Sequence, residues 1–436
     1  DNIFSHLIGY TNKPSREEVE LPFISNMPNL EIGKDGIEKS FNQNLIGKSG
    51  QREIEVNSYG RVIREISRKD SQKGNDIQIT MDLRIQQYAI KLLENHKAGS
   101  VVLIDIYNGD ILCMASTPSY NPNKIIQKPN KDYWNSILDN ELSPLTYRCI
   151  QGLYAPGSTF KMVVAIAAIV HGVIDTNTKH FCNGKIGLGD RLYHCWKNNG
   201  HGSMNVIDAI KESCDVFFYE ISKKIGIDKI AKVAQDFGLG KTFEIHLSNQ
   251  KKGIIPSRDW KKKNYDESWY PGETLISAIG QGFVLTNPLQ LAVMTSIIAS
   301  NGKNIKPNII KKNEDIDFEK LEKYQNAIKI IKSSMFKVVN EIKGTAYNSR
   351  SVSTPFAGKT GTSQVRRITV AERESEDFRK KEIEWKKRDH ALFVGYMPIE
   401  KPRYAVSVVI EHGGSGASTA APIAKEIFQF TKNLET

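Results

Sequence analysis

Strand-forming sequence lies toward both ends of this chain with helix-forming sequence between, and that arrangement limits what it can fold into. The run SVVLIDIYNGDILCMAS (100–116) has two apolar stretches around Asn108-Gly109, the dipeptide that most strongly marks a tight hairpin. Near the C-terminus, ALFVGYM (391–397) and RYAVSVVIEHG (403–413) read as two strands joined by a proline-containing turn. Between 158 and 350 the periodic segments are helical, for example STFKMVVAIAAIV and NVIDAIKESCDVFFYEISKKIG. A sheet that pairs distant parts of the chain and carries helices predicts one large α+β domain. TMDLRIQQYAIKLLENH (80–96) adds a helix that Thr80 or Asp82 can cap, with Leu83, Ile85, Tyr88, Ile90, Leu92 and Leu93 as its apolar face.

Residues 1–75 differ from the rest. They are polar and turn-rich, and EIEVNSYGRVIREI (53–66) reads as a hairpin about an Asn-Ser-Tyr-Gly turn. The expected division is a small β-rich N-terminal module over 1–75 and the main domain over 76–436, which suits a chain of 436 residues. The densely charged stretch 364–389, between two predicted strands, reads as a solvated loop or an exposed helix.

Composition excludes several classes. With 39% hydrophobic and 25% charged residues the chain is ordinary globular protein, neither fibrous nor disordered. The net charge of +11 comes from basic residues spread along the chain, with no nucleic-acid motif among them, so a solubilising basic surface and no nucleic-acid partner are expected. No run of eighteen apolar residues is present to span a membrane, and Asp1 opens no signal-peptide pattern.

The chemistry concentrates in three motifs. Pro156-Gly157-Ser158-Thr159-Phe160-Lys161 opens an apolar helix, and three-residue spacing puts Ser158 and Lys161 on one face. A neutral lysine there can take the serine proton, and the helix N-terminus aims free N–H groups at a developing oxyanion. Taken alone, Ser-x-x-Lys equally fits a capping serine beside an exposed lysine. Ser213-Cys214-Asp215, inside a helical pattern, and Lys359-Thr360-Gly361-Thr362, entering a strand, complete an ordered set. A strand without a side chain at Gly361 lets a peptide lie against it and offers a backbone N–H, hydroxyls and one cation to a carboxylate.

This ordered set is the signature of penicillin-binding proteins and class A β-lactamases. The chain resembles class B penicillin-binding proteins, and more narrowly the penicillin-binding protein 2 type that serves cell elongation. The likeness extends through GRVIRE (60–65), ITMDLRIQQYA (79–89), LYAPGSTFK (153–161), GHGSMNV (200–206), GIIPSRDWK (253–261), SAIGQGFVLTNPLQLA (277–292), GKTGTSQ (358–364) and LFVGYMP (392–398). It implies a penicillin-binding/β-lactamase-like transpeptidase domain on a pedestal module, which is shorter here than the family's usually is. Ser158 would be the acylated nucleophile and Lys161 its base. Ser213 would relay a proton to the leaving D-alanine, supported by Asp215, where many relatives have asparagine. Lys359, Thr360 and Thr362 would hold the terminal carboxylate, and the N–H groups of Ser158 and Thr362 would form the oxyanion hole. The substrates implied are D-Ala-D-Ala stem peptides, with β-lactam antibiotics as covalent inhibitors. The partner implied is a membrane glycan polymerase of the shape, elongation, division and sporulation group. The location implied is the periplasmic face of the inner membrane, through an N-terminal anchor that this stretch of chain lacks.

The five cysteines are too few, and odd in number, for a disulfide scaffold. Cys182, Cys195, His201 and Cys214 fall in one short stretch, and three thiolates with one imidazole suit a closed tetrahedral zinc site. The resemblance implies the same, since some relatives of the penicillin-binding protein 2 type hold zinc here with carboxylates among the ligands. His180 and His194 compete for the imidazole position, and a Cys182–Cys195 disulfide or unlinked thiols remain open readings. Cys113 and Cys149 read as small core residues. The competing functions are a β-lactamase or soluble carboxypeptidase, against which the long Ser213-to-Lys359 separation stands, and a β-lactam sensor that keeps the pocket as a receptor.

Overall fold

The structure, a computed structural model, describes residues 2–18, 30–126, 131–312, 316–366 and 383–435. Most of the charged stretch expected as loop or helix over 364–389 lies outside the described residues. The chain forms two compact units. The smaller gathers Asp1–Ile79, Ser119–Leu145 and Ile245–Ser248, so two later segments join what the sequence reading drew as one stretch over 1–75. Side chains far apart in sequence knit it together. Ser5 Oγ donates to Tyr120 O at 2.6 Å, the His6 ring meets Tyr120 edge-on, and Phe41 packs on His246. Local periodicity carries no trace of such pairings. Its hairpin pairs Gln51–Val56 with Val62–Lys69, with two register shifts, and turns at Gly60 with φ 75°.

The larger unit comprises Thr80–Pro118, Thr146–Glu244 and Asn249–Thr436. Its sheet has five antiparallel strands: β1 (Gly99–Asp105), β2 (Ile111–Thr117), β3 (Ala357–Ser363), β4 (His390–Met397) and β5 (Tyr404–Ile410). Their spatial order is β3-β4-β5-β1-β2, with Tyr404 opposite Asp105 and Ile410 opposite Gly99. Every residue of β1 and β5 is buried, so both faces of the sheet are covered. This is why both strands read as mostly apolar runs rather than alternating ones, with Ser407 the one polar residue inside β5.

The helices that matter to the site are α1 (Leu83–Leu93), α2 (Lys161–Val170), α3 (Asp215–Ile225), α4 (Pro288–Ala299), α5 (Gln325–Asn340) and α6 (Ala421–Asn433). α4 packs on β5 and β1, and all of its residues are buried. It is apolar all round, as a helix inside a large core must be. α1 and α6 meet through Tyr88 and Phe430, whose rings stack at 4.3 Å. Asp82, one of the two expected caps, accepts from the N–H groups of Arg84 and Ile85. The buried face of α1 is Ile85, Gln86, Ala89 and Leu93, while Leu83 is exposed. Gln86 enters the core because its amide satisfies strand β2, accepting from Met114 N at 2.9 Å and donating to Met114 O at 3.2 Å. Among the described residues no helix is long and apolar enough to cross a membrane.

Replacing Gln86 by alanine leaves the buried N–H of Met114 without a partner and takes one of two donors from its carbonyl, which keeps the Tyr147 hydroxyl at 3.1 Å. The expected loss is about 2–3 kcal/mol of unfolding free energy, read as a lower urea midpoint at unchanged m-value. A midpoint equal to the parent's would show that these bonds do not fix α1 on the sheet.

Candidate active site

Ser158 sits in a tight 3₁₀ turn, Gly157–Thr159, immediately before α2 and partly exposed. Three glycines let this turn press against its neighbours. Gly157 has φ 54°, and a Cβ there would lie 2.5 Å from Thr362 O. A Cβ at Gly361 would lie 3.0 Å from Pro156 O and from Thr159 Cγ2, and one at Gly280 would lie 2.2 Å from Gly157 O. The bare position in the Lys-Thr-Gly strand therefore admits the nucleophile turn, where the sequence reading had it admit a peptide. Gly157 N donates to Gly280 O at 2.9 Å, which ties the turn to the Ser277–Gly282 segment.

β3 is an edge strand that pairs with β4 alone. In an antiparallel strand the N–H and C=O of one residue point to the same side. The carbonyl of Thr362 takes the side-chain amide of Gln281 at 3.1 Å, and that of Thr360 takes Lys359 Nζ at 3.0 Å. Both residues therefore turn their backbone groups to the open edge, the side on which the nucleophile turn lies. The N–H of Thr362 faces that turn, as an oxyanion donor must. Thr362 is exposed, while Thr360 is buried with its hydroxyl 2.7 Å from that of Thr345.

The second motif does not continue a helix, as its sequence pattern predicts. The helix Val206–Lys211 ends, Ser213 turns left-handed at φ 57°, and α3 starts at Asp215 with Cys214 as its N-cap. The break exposes Ser213 Oγ to two lysines, Lys161 Nζ at 3.2 Å and Lys359 Nζ at 3.1 Å. Both lysines are 0% exposed. Lys161 also donates to Ser213 O at 2.8 Å and to Asp215 Oδ1 at 2.7 Å. Burial, and then the ammonium of Lys161, push Lys359 well below the usual lysine range. Burial raises the Asp215 carboxyl against the opposing pull of Lys161. The site thus holds one paired ammonium, one amine that resists protonation, and a serine hydroxyl that touches both.

Behind it lie the cysteines. Cys182, Cys195, His201 and Cys214 offer ligand atoms all within 4.8 Å of one another, and none of the five cysteines is joined in a disulfide. His201 Nδ1 lies 3.6 Å from Cys182 Sγ and 3.5 Å from Cys195 Sγ. A tetrahedral zinc with its ordinary bond lengths needs an S···N edge of about 3.5 Å. The spacing fits. His180 packs on Phe217 instead of joining the cluster, and His194 is likewise outside it. Hydrogen bonds, the Cys214 thiol first, hold Cys195 strongly toward its thiolate, the form that binds a metal. Cys113 and Cys149 are buried in the core as expected.

Two short hairpin pairings build this cluster from sequence that reads as loop: His180–Cys182 with Gly202–Met204, and Lys185–Leu188 with Arg191–His194. Trp196, which sequence reasoning missed, joins the cluster to the catalytic corner. Its N–H donates to Asp215 Oδ2 at 2.8 Å, and its indole donates to Ser213 O at 3.0 Å. Gln281 and Thr345 were also missed. A glycine on each side of Gln281, both with positive φ, is the only local signal for it.

The fold and the three converging motifs define a serine acyl-transfer enzyme, and comparison with known proteins places it. Residues 99–429 match the penicillin binding protein transpeptidase domain, and residues 1–79 match the penicillin-binding protein dimerisation domain. The chain belongs to the penicillin-binding proteins, and within them to the penicillin-binding protein 2 type. It is 34% identical to the peptidoglycan D,D-transpeptidase MrdA of Haemophilus influenzae, covering 98% of this chain and 68% of the relative. Against the MrdA of Escherichia coli the figures are 33%, 94% and 67%, so the chain spans about two thirds of these relatives. Among solved structures, the PBP2 of Helicobacter pylori in complex with MreC superposes with a TM-score of 0.88 at 32% identity, covering 100% of this chain and 78% of that one. Pseudomonas aeruginosa PBP2 in complex with WCK 5153 gives 0.80 at 31%, covering 99% and 90%.

Gly280→Ala places a methyl against Gly157 O in a left-handed conformation. It should cost about 2–4 kcal/mol, seen as a lower melting temperature. An unchanged melting temperature would mean that the turn is not pinned there.

Proposed function

We infer that this chain cross-links peptidoglycan stem peptides through an acyl-enzyme on Ser158, and that β-lactams acylate the same hydroxyl. What carries the reading is the meeting of two fully buried lysines on Ser213 Oγ beside the Ser158 turn and the open edge of β3. The steps follow from the contacts. Lys161 starts as the ammonium partner of Asp215 and cannot yet act as a base. It gives a proton to Ser213 Oγ as the Ser213 hydroxyl proton passes to the neutral Lys359. Lys161, now neutral, takes the proton of Ser158 as its Oγ bonds to the carbonyl carbon of the penultimate D-alanine. The oxyanion rests between the N–H groups of Ser158 and Thr362. As the C–N bond breaks, Lys161 and Ser213 return a proton to the departing D-alanine amine. An acceptor amine from a second stem peptide reverses the sequence. Lys359, cationic once it has accepted the proton, sits with Thr360 and Thr362 where the terminal carboxylate lies.

Cys182, Cys195, His201 and Cys214 would hold zinc, which supplies a fixed cross-link between the hairpins and the start of α3. The residues around it do the rest: Cys195 Sγ accepts from Asp215 N at 3.4 Å, and Trp196 orients the Asp215 carboxylate. At the level of the cell, the reading extends to wall elongation at the periplasmic face of the inner membrane. A glycan polymerase of the shape, elongation, division and sporulation group is the partner it implies. Solved neighbours in complex with MreC and in a peptidoglycan synthase complex support this.

Penicillin should add one mass per chain at the peptide bearing Ser158, and Ser158→Ala should abolish it. An adduct on Ser213, or rapid turnover of a chromogenic cephalosporin, would replace the reading by another. The acylation rate should hold above the depressed pKa of Lys359 and fall as pH drops through it, because a protonated Lys359 cannot accept from Ser213. Lys359→Ala should lose that acid limb along with most of the rate; the same limb persisting in the variant would assign it to another group. Elemental analysis should find about one zinc per chain. Cys195→Ser and Cys214→Ser should lower that content and the melting temperature, and should slow acylation although neither side chain touches substrate. Metal-free protein that acylates at the parent rate would sever the two sites.

A further inference from the structure

The open edge of β3 is not bare. Thr362 turns its N–H and its C=O outward together, and the carbonyl already carries a hydrogen bond from Gln281 Nε2 at 3.1 Å. That bond lies in solvent-accessible surroundings and joins an exposed residue to a half-buried one. The anchoring of the nucleophile turn runs elsewhere, through Gly157 N on Gly280 O and the three glycine contacts. A bond that held the strand in place would be expected to be sheltered, since an exposed hydrogen bond exchanged against water contributes only modestly. The donor here is a primary amide N–H aimed at an edge carbonyl. It is the same kind of donor as the backbone amide N–H that an extended peptide would present when adding to that edge.

We propose that Gln281 is a stand-in for substrate: its side-chain amide occupies the Thr362 carbonyl in the free enzyme and yields it to the backbone amide N–H of the acyl donor. The proposal rests on the transpeptidase reading above and adds a determinant of specificity to it. A ligand with an amide N–H next to its reacting carbonyl replaces the bond that Gln281 gives up. A ligand without one displaces nothing or leaves the carbonyl capped. Gln281 therefore lowers the affinity for every amide-bearing ligand by the worth of its own bond. It leaves the acylation step itself unchanged, because neither Ser158, Ser213 nor the lysines bond to it among the described residues.

The test uses Gln281→Leu, which keeps the bulk and removes the donor, with Gln281→Ala as a second variant and thermal melts to confirm folding. Acylation is followed with benzylpenicillin, which has the side-chain amide N–H, and with a carbapenem, which lacks it. Saturation kinetics separate the binding constant from the acylation constant. In Gln281→Leu the binding constant for benzylpenicillin should tighten by about three- to tenfold, the worth of one exposed hydrogen bond, with the acylation constant and all carbapenem values unmoved. A slower acylation constant for both ligands would make Gln281 a clamp on the oxyanion hole and overturn the proposal. Unchanged constants for both ligands would overturn it as well. Failure of the parent protein to acylate with either ligand would instead overturn the transpeptidase reading on which the proposal stands.

Discussion

Two lysine side chains with no solvent exposure share one serine hydroxyl, one of them also paired with a carboxylate, and the rest of the larger unit is arranged so that this can exist. An unpaired buried ammonium is among the costliest groups a fold can hold. Two of them at one hydroxyl repel each other as well, so the arrangement is stable only with one lysine neutral and the other paired. Asp215 supplies the pairing, and the break before α3 puts its carboxylate within reach of Lys161. The edge position of β3 brings Lys359 in from a strand nearly one hundred and fifty residues downstream of Ser213.

Seen this way, the cysteine cluster answers a local deficiency. The segment that carries Cys182, Cys195 and His201 consists of short hairpin strands with several exposed residues, and it contributes little apolar surface. Hydrophobic burial cannot hold such a segment to ångström accuracy. Trp196 must nevertheless deliver one N–H to a carboxylate and another to the carbonyl of a strained serine. Directional hydrogen bonds from Asp215 N to the Cys195 sulfur and from Trp196 to Asp215 and Ser213 do what packing cannot.

What was legible in the sequence follows the same division. The strands around Asn108-Gly109 and the C-terminal pair were visible because buried strands are written as local apolar runs. Ser158, Lys161 and Lys359 were visible because their motifs are contiguous. The helix break at Ser213 was not, since Ile210, Cys214 and Phe217 continue a helical period straight across it, and the partners of the left-handed serine, Lys161 and Lys359, come from distant elements. Gln86 was hidden for a related reason. A glutamine marks an exposed helix position until a strand whose backbone needs a partner lies beside it. The smaller unit's later segments, Ser119–Leu145 and Ile245–Ser248, were hidden because nothing local shows where a chain returns.

The strand order also governs when the protein can come into being. β5 lies at the centre of the sheet yet is the last of its strands to be made, and it pairs Tyr404 with Asp105 and Ile410 with Gly99. Until β5 emerges, β1 and β2 form a hairpin with one long apolar edge open, and the pair β3–β4 has nothing to join. Assembly of the catalytic unit is therefore a late, non-local event with high contact order, the kind that folds slowly and leaves strand edges exposed while it waits. A chain cut short between Met397 and Tyr404 would contain the nucleophile, both lysines and every cysteine, and would still lack the central strand that brings them together.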